Sequence, residues 1–360
     1  MSDYSINIPN EAYQNNRALK YQRQKISQAL SVKYTGHKVA FCMHTATGDI
    51  KVKFSKEKQR AFYSGLMTCG SVWDCPICSA KISAQRSVEI SQGVNEWISR
   101  GGSVCMVTYT IRHNKSDRIQ DVAKVLTDGI RFVHSGAPWQ RTKNKYAIKG
   151  SITATEVLYN LVNGWHVHKH QLLFLDKQEI NTQKLQGWLY ERYEQFLEGQ
   201  GWESAEGIGV VVSDPVKDPG QLSEYISKWG IESEMTAIDK KESQGLTPFE
   251  LLDDPELHLA YVEYSRAMYG KRRLVWSRGL RAFLGLAEEK PDEVVAMEED
   301  LKEIDTEVIR EISLEEWRYI RSKNLRVTVL EKAEQGQEKF SAWYLTRIIQ
   351  PVLSGLDPGS

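Results

Sequence analysis

The alternation of apolar and polar positions in the middle of the chain predicts strands and helices in a mixed order. Runs rich in β-branched and aromatic residues predict strands at 103–111, 151–159, 165–175 and 207–214. Apolar residues at helical spacing predict helices at 119–133 and 180–199. The Asn163-Gly164 pair predicts a hairpin between the second and third strands. The order β-α-β-β-α-β indicates an α+β fold, in which an antiparallel sheet of split βαβ (ferredoxin-like or palm-like) topology carries its helices on one face.

Three of the chain's eight histidines alternate along the third predicted strand, at His166, His168 and His170. Side chains in a strand alternate between faces, so these three imidazoles point the same way. Glu156 lies on the strand that the hairpin places alongside, and its carboxylate can reach the same face. Such a group predicts a divalent-metal site. The alternative is a set of half-exposed histidines that only make hydrogen bonds.

A further helix is predicted directly after the fourth strand, with Asp218 as its N-cap and an apolar stripe along one side. Tyr225 lies at the edge of that stripe, beside a polar seam that contains Gln221 and Lys228. A tyrosine at such a place is ordinarily a border residue of an amphipathic helix. Because it follows a sheet that is predicted to carry a metal site, Tyr225 is a candidate catalytic residue.

Four of the five cysteines have the spacing of a metal-binding knuckle. The predicted structural zinc ligands are Cys42, Cys69, Cys75 and Cys78. His44 is the alternative to the first of these. A disulfide set fits poorly with a chain that shows no export signal, and no thioredoxin-like context surrounds the C-x-x-C pair. Cys105 lies in an apolar run and is expected in the core.

The charge distribution permits a polyanionic partner for most of the chain. The net charge of the 360 residues is zero, but acidic residues far outnumber basic ones between 286 and 318, so the rest of the chain is basic. Solvated loops are the plainer explanation of the basic stretches. Neither a membrane span nor a signal peptide is evident, and a cytoplasmic protein with no membrane partner is expected.

Several blocks together resemble the plasmid rolling-circle replication initiators (Rep proteins) of the HUH endonuclease superfamily. From Cys69 to Leu286, these blocks are "CGSVWDCPIC", "MVTYTIRH", "TEVLYNLVNGWHVHKHQLLF", "EYISKW", "TPFELL" and "LVWSRGLRAFLGL". The resemblance implies that His168 and His170 are the metal-binding pair and Glu156 the third ligand. Lys169 departs from the motif, which prefers a hydrophobic residue there. His166 is an extra residue, either a fourth ligand or a donor to phosphate.

The same resemblance implies that Tyr225 is the nucleophile and that Lys228 assists it. Some relatives have a glutamate four residues before the tyrosine, which serves in termination. Here that position is Gln221, while Glu224 lies on another side of the helix. The base for termination therefore stays open between these residues and water.

The implied function is the nicking of one strand at a plasmid origin, with a 5′-phosphotyrosine intermediate, a free 3′-hydroxyl primer and later rejoining of the displaced strand. The implied cofactors are catalytic Mg²⁺ or Mn²⁺ and structural Zn²⁺. The implied partners are single-stranded or extruded origin DNA and host helicase, single-strand-binding protein and polymerase, with a homodimer also open. The alternatives are an HUH transposase or mobilisation relaxase, a hydrolytic metalloenzyme, and a non-enzymatic zinc DNA-binding protein.

The expected organisation follows the motifs along the chain. The segments are a basic N-terminal arm (1–38), a zinc-binding region (39–100), the HUH nicking domain (101–235), a helical extension (236–286), and an acidic linker with a small C-terminal module (287–360). The candidate DNA contacts are Arg112, Lys143, Lys145, Arg278 and Arg281.

Overall fold

The computed structural model describes residues 10–177, 179–204, 207–218, 245–297 and 306–355. The chain divides into two compact units. We call Ile82–Lys290 the central unit, and Met1–Lys81 together with Pro291–Ser360 the terminal unit. Within the described ranges, no helix is long and apolar enough to cross a membrane.

Helices and strands are numbered separately along the chain. The helices are α1 (Asn10–Leu30), α2 (Pro76–Ser99), α3 (Ile119–Val133), α4 (Gly136–Tyr146), α5 (Thr182–Gly199), α6 (His258–Met268), α7 (Leu280–Phe283), α8 (Asp292–Met297), α9 (Leu314–Ser322), α10 (Arg326–Ala333), α11 (Gln337–Tyr344) and α12 (Gln350–Leu353). The strands are β1 (Ala46–Ser55), β2 (Arg60–Leu66), β3 (Ser103–Tyr109), β4 (Ile148–Asn160), β5 (Gly164–Leu175), β6 (Val210–Val212), β7 (Leu274–Trp276) and β8 (Thr306–Ile312).

The central unit is built on a five-stranded antiparallel sheet with the strand order β6-β3-β5-β4-β7. Along the chain its elements follow as β3-α3-α4-β4-β5-α5-β6. The expected α+β class with an antiparallel sheet is thereby confirmed, and each predicted strand and helix between 103 and 214 is present. Helix α4, in a stretch that the pattern treated only as basic, is an addition.

Helices cover both faces of this sheet, whereas the sequence led us to expect them on one face. Leu172 and its neighbours on one face pack against Ile90 and Val94 of α2. On the other face, Tyr109 packs edge-on against Tyr193 of α5, with their ring centroids 5.4 Å apart. The expectation was wrong because α2, whose apolar residues repeat at helical spacing, precedes the β-α-β-β-α-β stretch on which it rested.

The predicted helical extension at 236–286 contains a strand as well as helices. Its residues 236–244 lie outside the described ranges. Strand β7 pairs antiparallel with Ile152–Ala154 and so satisfies the outer edge of β4. Trp276 then enters the core beneath α2. A three-residue edge strand has too few positions to show a period, which is why the sequence pattern did not reveal it.

The terminal unit joins both ends of the chain around a three-stranded sheet with the order β2-β1-β8. The basic residues at 17–38 do not form a separate arm. Arg17, on α1, is buried and pairs with Glu334 at 2.6 Å, and Arg326 donates to Gln24 at 2.8 Å. This ion pair and this hydrogen bond hold α1 against α10.

The acidic stretch after residue 287 is also packed in part, which differs from the expected linker. In α8, Val295 and Ala296 are buried, and Lys81 donates to the carbonyl of Ala296. Strand β8 then extends the sheet beside β1. Helices α9 to α12 follow, and α9 begins with a capping box between Ser313 and Glu316. The C-terminal region is therefore mainly helical, but its first strand belongs to a sheet shared with the N-terminal region.

Candidate functional site

One carboxylate and two imidazoles meet on the face of β4 and β5 in the central unit. Glu156 lies directly opposite His168, and His170 follows two residues later on the same face. One ligand atom from each of the three residues lies within 4.8 Å of the other two. The structure therefore confirms the grouping of the three residues that the strand period predicted. Such a group of nitrogen and oxygen donors fits a divalent cation.

The carboxylate of Glu156 is held by both imidazoles. Its Oε2 is 2.9 Å from Nε2 of His170 and 3.6 Å from Nδ1 of His168. Burial alone would raise the pKa of Glu156, but the hydrogen bonds with His168 and His170 outweigh it and lower the pKa to about 2. The group is therefore an ionised carboxylate at neutral pH, as a metal ligand must be.

A hydroxyl behind the ligands fixes one of the rings. Nδ1 of His170 is 3.1 Å from Oγ1 of Thr108, which lies opposite it on β3. This contact leaves Nε2 of His170 as the nitrogen that faces Glu156. Histidines that bind metals commonly use their second nitrogen in this way, because the contact sets both tautomer and ring orientation.

Two more histidines extend the group toward the hairpin turn. His166 and His168 contact each other through their Nε2 atoms. Nδ1 of His166 is 2.6 Å from Nε2 of His113, whose own Nδ1 is 3.2 Å from the carbonyl of Asn163. Burial, followed by the charges of His168 and His113, lowers the pKa of His166 to about 3. The ring is therefore neutral at neutral pH and donates through one nitrogen while it accepts through the other.

Sequence reasoning missed His113 and Thr108. Both belong to the block "MVTYTIRH", but β3 contributes to the site only because it lies next to β5 in the sheet. The hairpin reveals the β4–β5 pairing, whereas the β3–β5 pairing joins residues far apart in sequence. The signal that would have identified them is the strand order of a split βαβ sheet, which places the end of its first strand beside its third.

The predicted tyrosine helix lies outside the described residues, and with it Tyr225, Lys228, Gln221 and Glu224. The described chain leaves the sheet just after Val216, which bridges to Val104 on β3. It rejoins the sheet at Leu246, which pairs with Tyr159 on β4.

A second possible metal centre lies in the terminal unit, where four buried thiols form one group. The thiols belong to Cys42, Cys69, Cys75 and Cys78. Three of their sulfur–sulfur distances are 3.7 Å. A disulfide requires about 2.0 Å. A tetrahedron with zinc–sulfur bonds of about 2.3 Å has edges of about 3.8 Å, so these sulfurs fit a four-coordinate structural site.

Helix α1 supports the four-thiol group from one side. Gln24 donates from Nε2 to Sγ of Cys75 at 3.5 Å, and Gln28 donates to the carbonyl of Cys42 at 2.8 Å. Hydrogen bonds of this kind orient ligands around a metal. His44 lies outside the thiol group, and burial followed by the charges of two arginines lowers its pKa to about 4. The structure therefore favours Cys42 over His44 as the fourth ligand. The fifth cysteine, Cys105, is buried in the core as expected.

The predicted DNA-contact residues differ in their exposure and in their contacts within the protein. Arg112 is exposed and pairs with Glu203 at 2.8 Å. Lys145 lies on α4 with its ammonium 5.2 Å from the ring centroid of Tyr146, and Lys143 is half-buried on the same helix. Arg278 is exposed.

Arg281 is held inside the central unit. Its guanidinium donates to Glu89 at 2.7 Å and lies over the ring of Trp276, with 13% of its side chain exposed. These contacts make it a packing residue, with little of its guanidinium left for DNA.

The chain resembles two curated proteins from Streptomyces. It is 28% identical to "Protein rep" of Streptomyces lividans in an alignment 295 positions long, which covers 62% of this chain and 64% of that protein. It is 33% identical to "Neomycin resistance protein" of Streptomyces cyanogenus in an alignment 136 positions long, which covers 31% of each chain. The chain thus spans less than two thirds of the length of either relative.

No protein-family model and no solved structure matches the chain. The homology to "Protein rep" confirms the resemblance to plasmid replication proteins that the sequence blocks indicated.

Proposed function

We propose that this protein is a rolling-circle replication initiator that nicks and rejoins one strand of origin DNA, with an HUH endonuclease fold. The observation that carries the proposal is the group of Glu156, His168 and His170 on adjacent strands of an antiparallel sheet. The homology to a replication protein gives this metal site its context.

The proposed nucleophile is Tyr225, and the length of chain between the sheet and this residue is compatible with that role. Val216 is fixed beside Val104, which lies four residues before Thr108 on β3, or about 14 Å away. Two extended residues from Val216 to the predicted N-cap Asp218 span about 7 Å, and seven residues of the predicted helix from Asp218 to Tyr225 rise about 10 Å, so together they span about 17 Å. The phenol can therefore reach the face that carries Glu156 without any change in the described sheet.

The reaction is a transesterification. Oη of Tyr225 forms a bond to phosphorus, the bond from phosphorus to the 3′ oxygen breaks, and that oxygen takes up a proton. A phenol has a pKa of about 10, so Lys228 assists by stabilising the phenolate. Mg²⁺ or Mn²⁺ bound to Glu156, His168 and His170 would polarise a non-bridging phosphate oxygen. His166 is then a fourth ligand or a donor to the phosphate.

Rejoining follows the reverse path. The 3′-hydroxyl of the displaced strand attacks the phosphotyrosine, the bond from phosphorus to Oη breaks, and Tyr225 leaves as the phenolate. Gln221 lacks a carboxylate, so Glu224 or water takes the proton of the attacking hydroxyl. The free 3′-hydroxyl serves a polymerase, with a host helicase and single-strand-binding protein as further partners. In the terminal unit, the four cysteines would hold Zn²⁺ through their thiolates as a structural ion, since four ligands leave no position open for substrate.

A covalent-adduct experiment tests the function. The full-length protein is incubated with Mn²⁺ and labelled single-stranded oligonucleotides that tile its own replicon. We expect a label that survives boiling in detergent and maps to Tyr225. The adduct should be lost in Tyr225→Phe, in His168→Ala and with a chelator. Tyr269→Phe, at an exposed tyrosine of the central unit, is the matched control and should keep the adduct.

The other outcomes separate the remaining functions. Cleavage without an adduct would replace the transesterase with a hydrolytic metalloenzyme. DNA binding that is indifferent to His168→Ala, with no cleavage, would leave a zinc DNA-binding protein. An adduct formed only with the ends of a mobile element or a transfer origin would indicate a transposase or relaxase.

A further inference from the structure

The turn that joins β4 to β5 presents two branched aliphatic side chains to solvent. Leu161 is 58% exposed and Val162 is 76% exposed. Tight hairpin turns ordinarily use glycine, asparagine or aspartate, because those residues suit the backbone and tolerate water. Here two adjacent turn positions instead carry apolar side chains, which form a small exposed apolar patch.

The turn is braced rather than loose. The side-chain oxygen of Asn160 accepts hydrogen bonds from the amides of Val162 and Asn163, at 2.8 and 3.1 Å. Lys115 donates from Nζ to the carbonyl of Leu161 at 2.9 Å. These contacts fix the backbone from which the two aliphatic side chains project.

The tip is continuous with the candidate metal site. Leu161 lies five residues after Glu156 and Val162 lies six residues before His168, so the tip is about 16–20 Å from the ligands along the strands. Bases in duplex DNA are stacked at about 3.4 Å, so this distance corresponds to about five or six base steps. DNA with a phosphate at the ligands and its axis along β4 and β5 would extend as far as the tip.

The charges beside the tip suit a nucleic acid. Lys115 and Arg118 are exposed on the loop that braces the turn. The acid between them, Asp117, accepts a hydrogen bond from the amide of Asn114. DNA-bending proteins separate base steps by inserting apolar side chains into the base stack, while neighbouring cations contact the backbone.

We propose that Leu161 and Val162 form a wedge that separates bases of duplex origin DNA, so that the nicked strand reaches the metal site unpaired. This inference rests on the proposed nicking function and names the form of DNA that the protein opens. The wedge supplies no atom to the reaction. Its contribution is confined to substrates whose bases are still paired.

Three substrates with one nick site test the wedge. They are a single strand, a duplex with an unpaired bubble at the site, and a supercoiled circle. In L161S/V162S, we expect unchanged nicking of the first two. Nicking of the circle should fall at least about tenfold, because separating even one base step costs more free energy than that factor represents. A 2-aminopurine base near the nick should also lose its fluorescence increase on binding.

Two further variants control the experiment. L161M/V162I keeps the apolar character and should nick all three substrates as the wild type does. Leu259→Ser removes another aliphatic side chain of the central unit that is 65% exposed, and should also leave all three rates unchanged.

The remaining outcomes overturn the wedge. It is wrong if L161S/V162S nicks the circle at the wild-type rate, even when plasmid replication in cells is lost; the tip would then dock a host protein. It is also wrong if the variant loses all three substrates alike. Failure of the wild type on the single strand would instead refute the nicking function itself.

Discussion

The hydroxyl of Thr108 is predicted to tune the affinity of the metal site without touching the metal. Its Oγ1 is 3.1 Å from Nδ1 of His170, and His170 is 7% exposed, so water cannot easily replace the contact. Thr108→Val keeps the shape of the side chain and removes the acceptor. A buried donor left without a partner costs about 1–3 kcal/mol. We therefore expect the dissociation constant for Mn²⁺ to rise roughly tenfold to a hundredfold.

The assay is an electron paramagnetic resonance titration of free Mn²⁺ against the full-length, zinc-loaded protein. The matched control is Thr153→Val, which removes an acceptor of the Gln171 amide on the opposite face of the same sheet. Its Mn²⁺ affinity should change by no more than about twofold, the scatter between independent sites. An unchanged affinity in Thr108→Val would refute the argument that this hydroxyl orients the ligand. Equal losses in both variants would attribute the effect to general destabilisation.

Three further predictions follow from contacts described above. Cys42→Ser should lower the melting temperature of the purified protein and its zinc content, as measured by elemental analysis, while His44→Ala should keep the metal. Equal zinc in the wild type and both variants would exclude the four-thiol site. Arg281→Gln leaves the buried carboxylate of Glu89 with one arginine fewer, so urea denaturation should show about 1–3 kcal/mol less stability. Single-strand affinity should be unaffected, and a selective loss of affinity would make this arginine a DNA contact after all. Gly164→Ala places a side chain at φ +77° and should lower the free energy of unfolding by about 1–2 kcal/mol in the same denaturation assay. An unchanged denaturation midpoint would mean that the turn relaxes without strain.

The metal ligands could be predicted from the sequence because their spacing follows a local rule. The period of two along a strand places His168 and His170 on one face, and a two-strand hairpin fixes Glu156 opposite them. Neither step needs knowledge of the rest of the fold. Half of the four-thiol group follows a similar rule, since a C-x-x-C turn brings Cys75 and Cys78 together by itself, whereas Cys42 is 33 positions from Cys75 and was chosen as a ligand only to complete four.

The features that escaped prediction depend on contacts between distant parts of the chain. His113 joins the site only through the neighbouring positions of β3 and β5, and β7 is a strand only because β4 offers it an edge. Arg281 was predicted to face DNA because its charge is visible in the sequence, whereas its partner Glu89 is separated from it by 192 positions. The composition of a segment gives its charge but does not say which other segment neutralises it.

The terminal unit sets an order of events during synthesis of the chain. Arg17 and its partner Glu334 are separated by 317 positions, and β1 obtains its neighbour β8 only from the last part of the sequence. At 5–20 residues per second, a ribosome needs roughly 10–50 s to pass from the cysteine knuckle to β8. Throughout that interval the four thiols have emerged while the C-terminal part of their unit has not. An ion captured early by these sulfurs would keep them from oxidising until synthesis is complete.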